Sequence, residues 1–312
     1  MDLGGAGRLR ALATGPELGS VDPEPPPQPD AKPAAASRQT SAGTGRGARI
    51  GGMLWRDRVP GVLDEKEMEM ADRAALVTGA SSGIGLAIAR VLGEEGYALT
   101  VAARRPEKLE EAAEGLRGEG FEVESIPANM AEEDHVVAIF AAHRQKHGRL
   151  DVLVNNAGVG IGAPMEEIQT KHLDMQLAVN LRALILGTRE GLPMLREAGA
   201  EHGKALIVNT ASIAGKGGQA WLSIYAATKA AVINFTQSTH REAGTAGIQC
   251  TALAPGFVET PMTEFVQGQI PPEEMIRPED LGEAVRFLLR TSRNCHVPEV
   301  VFTRPGEGLD TP

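Results

Sequence analysis

Ala74-Ala75-Leu76-Val77-Thr78-Gly79-Ala80-Ser81-Ser82-Gly83-Ile84-Gly85 runs from an unbroken apolar stretch into three closely spaced glycines. A strand that ends in a glycine turn and opens a helix is the start of a βαβ unit. Gly79 permits a tight reversal, Gly83 lets backbone approach a diphosphate, and Gly85 lets helix pack on strand. The first N–H groups of that helix then face the phosphates. The spacing is Gly-x-x-x-Gly-x-Gly, not Gly-x-Gly-x-x-Gly. The lesser alternative, taking the motif alone, is an ordinary glycine-rich βα turn.

Working outward, short apolar runs alternate with helical stretches to the end of the chain. The pattern predicts strands at Ala74–Thr78, Ala98–Ala103, about Phe121–Ala128, Leu150–Asn155, Ala205–Thr210, Ile248–Ala254 and Val297–Phe302. Between them it predicts helices at Gly83–Glu95, Glu107–Arg117 (with Pro106 at its first position), Glu132–His147, Lys171–Ala198, Ser223–Ala243 and Pro278–Arg290. The fold class expected is α/β: a doubly wound, parallel, seven-stranded Rossmann-type sheet in three α/β/α layers, one domain over residues 71–312. Residues 1–70 read differently. Pro23-Glu24-Pro25-Pro26-Pro27 and the Ala, Ser, Thr and Gly that follow have no period and little apolar surface, so a disordered low-complexity tail is expected. Met53, Met68 and Met70 are alternative starts if the reading frame is over-long.

Among the 312 residues, 31 Lys and Arg face 41 Asp and Glu, a formal net charge of -10. That balance disfavours nucleic acid, whose affinity rests on clustered cations. No apolar run reaches the roughly 18 residues of a membrane span. Cys250 and Cys295 form neither a disulfide framework nor a metal pattern, and a reducing cytoplasm fits them best.

Chemistry enters with Tyr225-Ala-Ala-Thr-Lys229, and with Ser212 thirteen positions upstream. Positions i and i+4 share a helix face, so phenol and ammonium are expected in one cleft. An ammonium about 5 Å from a phenolate, at an effective dielectric of about 20, contributes roughly 3 kcal/mol, on the order of two pKa units. The expectation is a Tyr225 brought towards neutrality, with Ser212 holding a substrate oxygen beside it. The plain alternative is a surface pair.

The set Thr78–Gly85, Asn155-Asn156-Ala157-Gly158, Asn180, Ser212, Tyr225, Lys229 and Pro255-Gly256 resembles the short-chain dehydrogenase/reductase family in order and spacing, over about residues 72–304. Its texture is nearest to 3-oxoacyl-acyl-carrier-protein reductase-like members. The resemblance implies a sheet of order 3-2-1-4-5-6-7, a nicotinamide cofactor, a small carbonyl or alcohol substrate, and a homodimer or homotetramer. It implies Tyr225 as acid/base, Ser212 on the carbonyl oxygen, Lys229 on the nicotinamide ribose and Tyr225, and Asn180 holding a water through its backbone. Cofactor contacts are implied for Gly79, Ser81, Ser82, Gly83, Ile84, Gly85, Met130, Asn156, Ala157, Gly158, Tyr225, Lys229, Pro255, Gly256, Val258 and Thr260. Asn129 stands where the family usually has an Asp that accepts from adenine.

Ala103 occupies the position where NAD-using relatives carry an acid, and Arg104 and Arg105 follow it. Arg104 is suited to a 2′-phosphate, so NADP(H) is favoured over NAD(H); the alternative is a solvated basic turn. A terminal Val-Asp-Gly-Gly run is missing, and acyl-carrier substrates are not expected. His143 and His147, four apart among Arg144 and Lys146, read as a solvated helix face rather than a metal site. Trp221 and Gln219 are placed either to line a substrate pocket or to pack at a subunit contact. Two functions compete: a carbonyl–alcohol oxidoreductase, and a catalytically idle nicotinamide-sensing regulatory or scaffold protein.

Overall fold

In β1 (Ala74–Thr78) every residue is buried, and successive side chains enter different cores. Ala75 and Val77 join one apolar cluster and Leu76 the other. A strand covered on both faces must be apolar on both, which is why the run is continuous rather than alternating. β4 (Val152–Asn155) and β5 (Ala205–Thr210) repeat this, with Val152, Val154, Leu206 and Val208 opposite Leu153 and Ile207.

The computed structural model describes residues 73–306 and residue 308; the tail expected over residues 1–70 lies outside the described residues. The other strands are β2 (Ala98–Ala103), β3 (Val123–Pro127), β6 (Ile248–Pro255) and β7 (Glu299–Phe302). The described residues form one sheet of order β3-β2-β1-β4-β5-β6-β7, with every neighbouring pair parallel. One face is covered by α1 (Gly83–Glu94), α2 (Pro106–Gly118) and α7 (Pro278–Arg290). The other carries α3 (Glu133–His147), α5 (Ala183–His202) and α6 (Ser223–Ala243). The strand order reverses between β1 and β4, and a crevice outside the strands' carboxyl ends is where such sheets bind ligands.

Three strands begin later than their apolar runs, each for a local reason. Phe121 packs against Gly93 instead of pairing. Asp151 is taken up by the Ala74 amide at 2.9 Å and by Arg149. Pro298 has no N–H to give a ladder. The predicted helix Lys171–Ala198 is interrupted: a short α4 (Thr170–Gln176) passes through a π-helical turn at Leu177–Arg182 into α5.

His143 overturns its reading as a solvated residue. It is fully buried, its Nδ1 2.8 Å from Thr100 Oγ1 and its Nε2 2.8 Å from the Arg149 carbonyl. A carbonyl only accepts, so Nε2 carries the proton and Nδ1 accepts from Thr100. Burial lowers its pKa from 6.5 to about 4, so the ring is neutral. Its partner by spacing, His147, is half-buried.

Candidate active site

The glycine turn is held from beneath. Gly79 and Ala80 donate their amides to the Ala102 carbonyl at 2.7 and 3.2 Å, fixing the end of β1 against β2. Gly79 has φ +68° and Gly83 φ +54°, a region where glycine alone is unstrained. A Cβ on Gly79 would stand 2.9 Å from Ala157 Cα, and one on Gly85 2.3 Å from the Gly79 carbonyl. Ser82 precedes α1 without capping it through its side chain, and the first turn of α1 has no acid. Free helix N–H groups, an open concave backbone and no negative charge suit a phosphate. Ser81, Ser82, Gly83 and Ile84 are all partly exposed there.

Asn156 binds three strand ends together. Its Nδ2 donates to the carbonyls of Thr78 and Gly79, both at 3.2 Å, and its Oδ1 accepts from Thr210 Oγ1 at 3.1 Å. Thr78 Oγ1 receives the amides of Asn156 and Ala157, each at 3.1 Å. Thr78 was read only as the start of the glycine motif and Thr210 not as a site residue at all, although each is the last residue of its strand, where this architecture places function.

Ser212 follows β5 and is 8% exposed. Its Oγ donates to the Pro255 carbonyl at 3.3 Å and accepts from the Ala214 amide at 3.2 Å. Tyr225 lies in the first turn of α6, with Lys229 one turn on. Lys229 is buried, its Nζ 5.6 Å from the centre of the Tyr225 ring and 2.7 Å from the Thr210 carbonyl. The pair therefore shares one face, as its spacing predicts.

The expected lowering of Tyr225 is not found. Burial raises its pKa above 10, opposed by a hydrogen bond from Ser212. Lys229 gives its ammonium to the Thr210 carbonyl, and burial brings that ammonium itself down to about 8. Desolvation outweighs the attraction assumed at a fixed dielectric.

Asn180 sits at the centre of the π-helical turn. Its Oδ1 accepts from the Val159 amide at 2.8 Å, and its Nδ2 donates to the Val159 carbonyl at 2.9 Å and Thr228 Oγ1 at 3.2 Å. Its side chain thus fastens the loop after β4, and its backbone lies where the helical ladder widens. Gly158 is beside this group: a Cβ there would be 3.5 Å from Asn180 Oδ1 and 3.6 Å from Lys229 Nζ.

The remaining residues ring the same end of the sheet. Gly256 donates to the Phe302 carbonyl at 2.9 Å, extending Pro255. Val258 is buried and bridges to Ile276. Thr260 caps the 3₁₀ segment Pro261–Val266 and presses its methyl towards Gly83, 2.8 Å from a Cβ built there. Asn129 Oδ1 accepts from the Ala131 amide at 3.2 Å, so its oxygen is already engaged in the turn. Met130 is buried, whereas Arg104 and Arg105 are exposed just past β2.

A family profile described as short chain dehydrogenase matches residues 73–270. The chain belongs to the short-chain dehydrogenase family. An uncharacterized oxidoreductase of Staphylococcus aureus is 32% identical over 231 residues, 74% of this chain and 96% of the relative. A variant of actinorhodin polyketide ketoreductase, solved with NADPH, is similar at 32% identity and TM-score 0.69, over 76% of this chain and 97% of that one. The 3-ketoacyl-(acyl-carrier-protein) reductase of Brucella melitensis, solved with NADH, matches at 29% identity and TM-score 0.69, over 76% and 98%. Among the described residues, no helix of this short-chain dehydrogenase is long and apolar enough to cross a membrane.

Proposed function

We propose that this short-chain dehydrogenase interconverts a ketone or aldehyde and an alcohol, with NADP(H) as preferred cofactor and Tyr225 as acid/base. One observation carries the reading: Ser212, Tyr225 and Lys229 meet in one cleft at the strand ends that also hold the glycine cradle. A nicotinamide cofactor, when bound, supplies or receives the hydride. The cradle fits its diphosphate, because a Cβ at Gly79 or Gly85 would meet backbone and the helix N-terminus is uncapped.

The protein's own groups handle the proton. Hydride arrival leaves charge on the carbonyl oxygen, which the hydroxyls of Ser212 and Tyr225 are placed to stabilise. A Tyr225 held above pKa 10 is protonated at neutral pH, set to give a proton rather than take one. Lys229, released from Thr210, would hold the ribose and recharge Tyr225; Asn180 positions the loop around both.

NADP(H) preference rests on Ala103 and exposed Arg104; related structures hold either NADPH or NADH. We place the enzyme in the cytoplasm, consistent with its two free cysteines, as a homodimer or homotetramer. The intact Ser212, Tyr225 and Lys229 group favours an enzyme over a cofactor sensor, which would need the nucleotide site alone.

Tyr225→Phe tests the assignment. It keeps the ring and removes the exchangeable proton, so kcat should fall at least about 100-fold while cofactor binding persists. Near wild-type turnover would sink it.

A further inference from the structure

Among the described residues, Trp221 is the one non-glycine with positive φ, at +57°. An aromatic residue in the left-handed region is strained, and the structure holds it there deliberately at two points. The Ala163 amide donates to the Trp221 carbonyl at 2.8 Å. The indole packs on Gly162, so close that a Cβ there would be 1.8 Å from the ring.

That strain does not serve the core. Trp221 is 48% exposed and meets Phe265 edge to face, 5.6 Å between centres and at 86°. Phe265 is 59% exposed and Met262, from the same 3₁₀ segment, 44%. The patch adjoins the reacting groups: a Cβ on Gly160 would be 3.8 Å from both the Tyr225 ring and Met262 Sδ. A carbonyl oxygen at Ser212 and Tyr225 would send its substituent along Gly160–Gly162, past Met262, to the aromatic pair.

Charge around this path is predominantly negative. The three loops that frame it, residues 156–169, 211–222 and 256–277, carry Glu166, Glu167, Glu259, Glu264, Glu273 and Glu274. Their cations, Lys216 and Arg277, are each paired, with Glu299 and Asp280. Lys171 and His172 follow on α4. An anionic substrate, whether a free carboxylate, a coenzyme A thioester or an acidic carrier protein, would be repelled here.

We infer that the Trp221–Phe265 pair selects uncharged ketones bearing an aromatic ring, a reading that rests on the proposed carbonyl reduction. The ketone carbon gains a hydride, its oxygen gains one proton through Tyr225, and a secondary alcohol forms. The reduced nicotinamide cofactor is oxidised by two electrons in the same turnover. The ring gains an edge or face contact and apolar burial at Trp221, Phe265 and Met262, which favours aryl over methyl by about 10-fold in kcat/KM.

Three β-keto substrates decide it on the full chain with NADPH: ethyl benzoylacetate, ethyl acetoacetate and acetoacetyl-coenzyme A. The expected order places the aryl ester about 10-fold above the methyl ester, with the coenzyme A thioester lowest. In Trp221→Gly, which removes ring and backbone strain together, the aryl-to-methyl ratio should fall to about one; Trp221→Phe should restore part of it. Gly162→Ala, which displaces the indole without deleting it, should match Trp221→Gly. Melting temperature and NADPH affinity, followed in each variant, show that the fold is intact. A ratio near one in the wild type, preference for acetoacetyl-coenzyme A, or an aryl preference that survives all three substitutions overturns the inference. Absence of turnover on all three substrates with either cofactor, although cofactor binds, sinks the carbonyl-reductase reading and this one with it.

Discussion

His143 joins α3 to β2 and to the turn before β4 through two hydrogen bonds, and burial keeps its ring neutral. Its pKa is about 4 in the fold against 6.5 outside it, so as pH falls the unfolded chain takes up the proton first. The stabilisation is whole above 6.5 and is lost progressively between 6.5 and about 4, amounting to roughly 3 kcal/mol. His143→Gln offers a donor and an acceptor that do not titrate. Its unfolding free energy, followed by denaturant titration from pH 7 to 4.5, should slope less steeply than that of the wild type. Parallel slopes would remove His143 from the acid response. The sequence hid this residue because Arg144 and Lys146 flank it, and both are exposed while His143 turns inwards. Tyr225 and Lys229 were legible because i,i+4 geometry is local. Their protonation was not, since it depends on burial, which only the assembled fold provides.

At the scale of elements, the proposed cofactor preference turns on the segment from β2 into α2. Ala103 is buried in the core cluster, whereas Arg104 is exposed, so a charge change is best made at Arg104. A partly screened contact of roughly 1.5–3 kcal/mol between arginine and a 2′-phosphate corresponds to about 10- to 150-fold in affinity. Arg104→Asp removes the grip and adds repulsion, so titrations at fixed ionic strength should show the preference for NADPH shrink or invert. Equal affinity for NADH and NADPH in the unmodified protein would return Arg104 and Arg105 to a solvated turn. Strands and helices were legible here because doubly covered strands are continuously apolar and Pro106 marks a helix start. The π-helical turn was not: Leu177–Arg182 carries no glycine or proline, and the extra residue is accommodated by the hold of Asn180 on Val159 and Thr228. The left-handed Trp221 was equally hidden, being fixed by Gly162 and Ala163 some sixty positions away.

At the scale of the whole molecule, Leu177 and Ile185 stand 42% and 39% exposed on the segment from the π-helical turn into α5, with Leu181 between them. Burying such a stripe against a second copy is the simplest account of it. Light scattering at micromolar concentration should give a dimer or tetramer, and Leu177→Glu with Ile185→Glu should yield a smaller species. A wild-type monomer would contradict the proposed assembly. Within one subunit, the amide of Asn156 reaches both halves of the sheet, the Thr78–Gly79 corner on one side and Thr210 on the other. Thr210 in turn receives Lys229. The cradle is thus part of one stitched frame, set when the chain folds. Its ordering entropy is charged to folding stability, so an arriving dinucleotide meets a preorganised seat and little of its affinity is lost to shaping one.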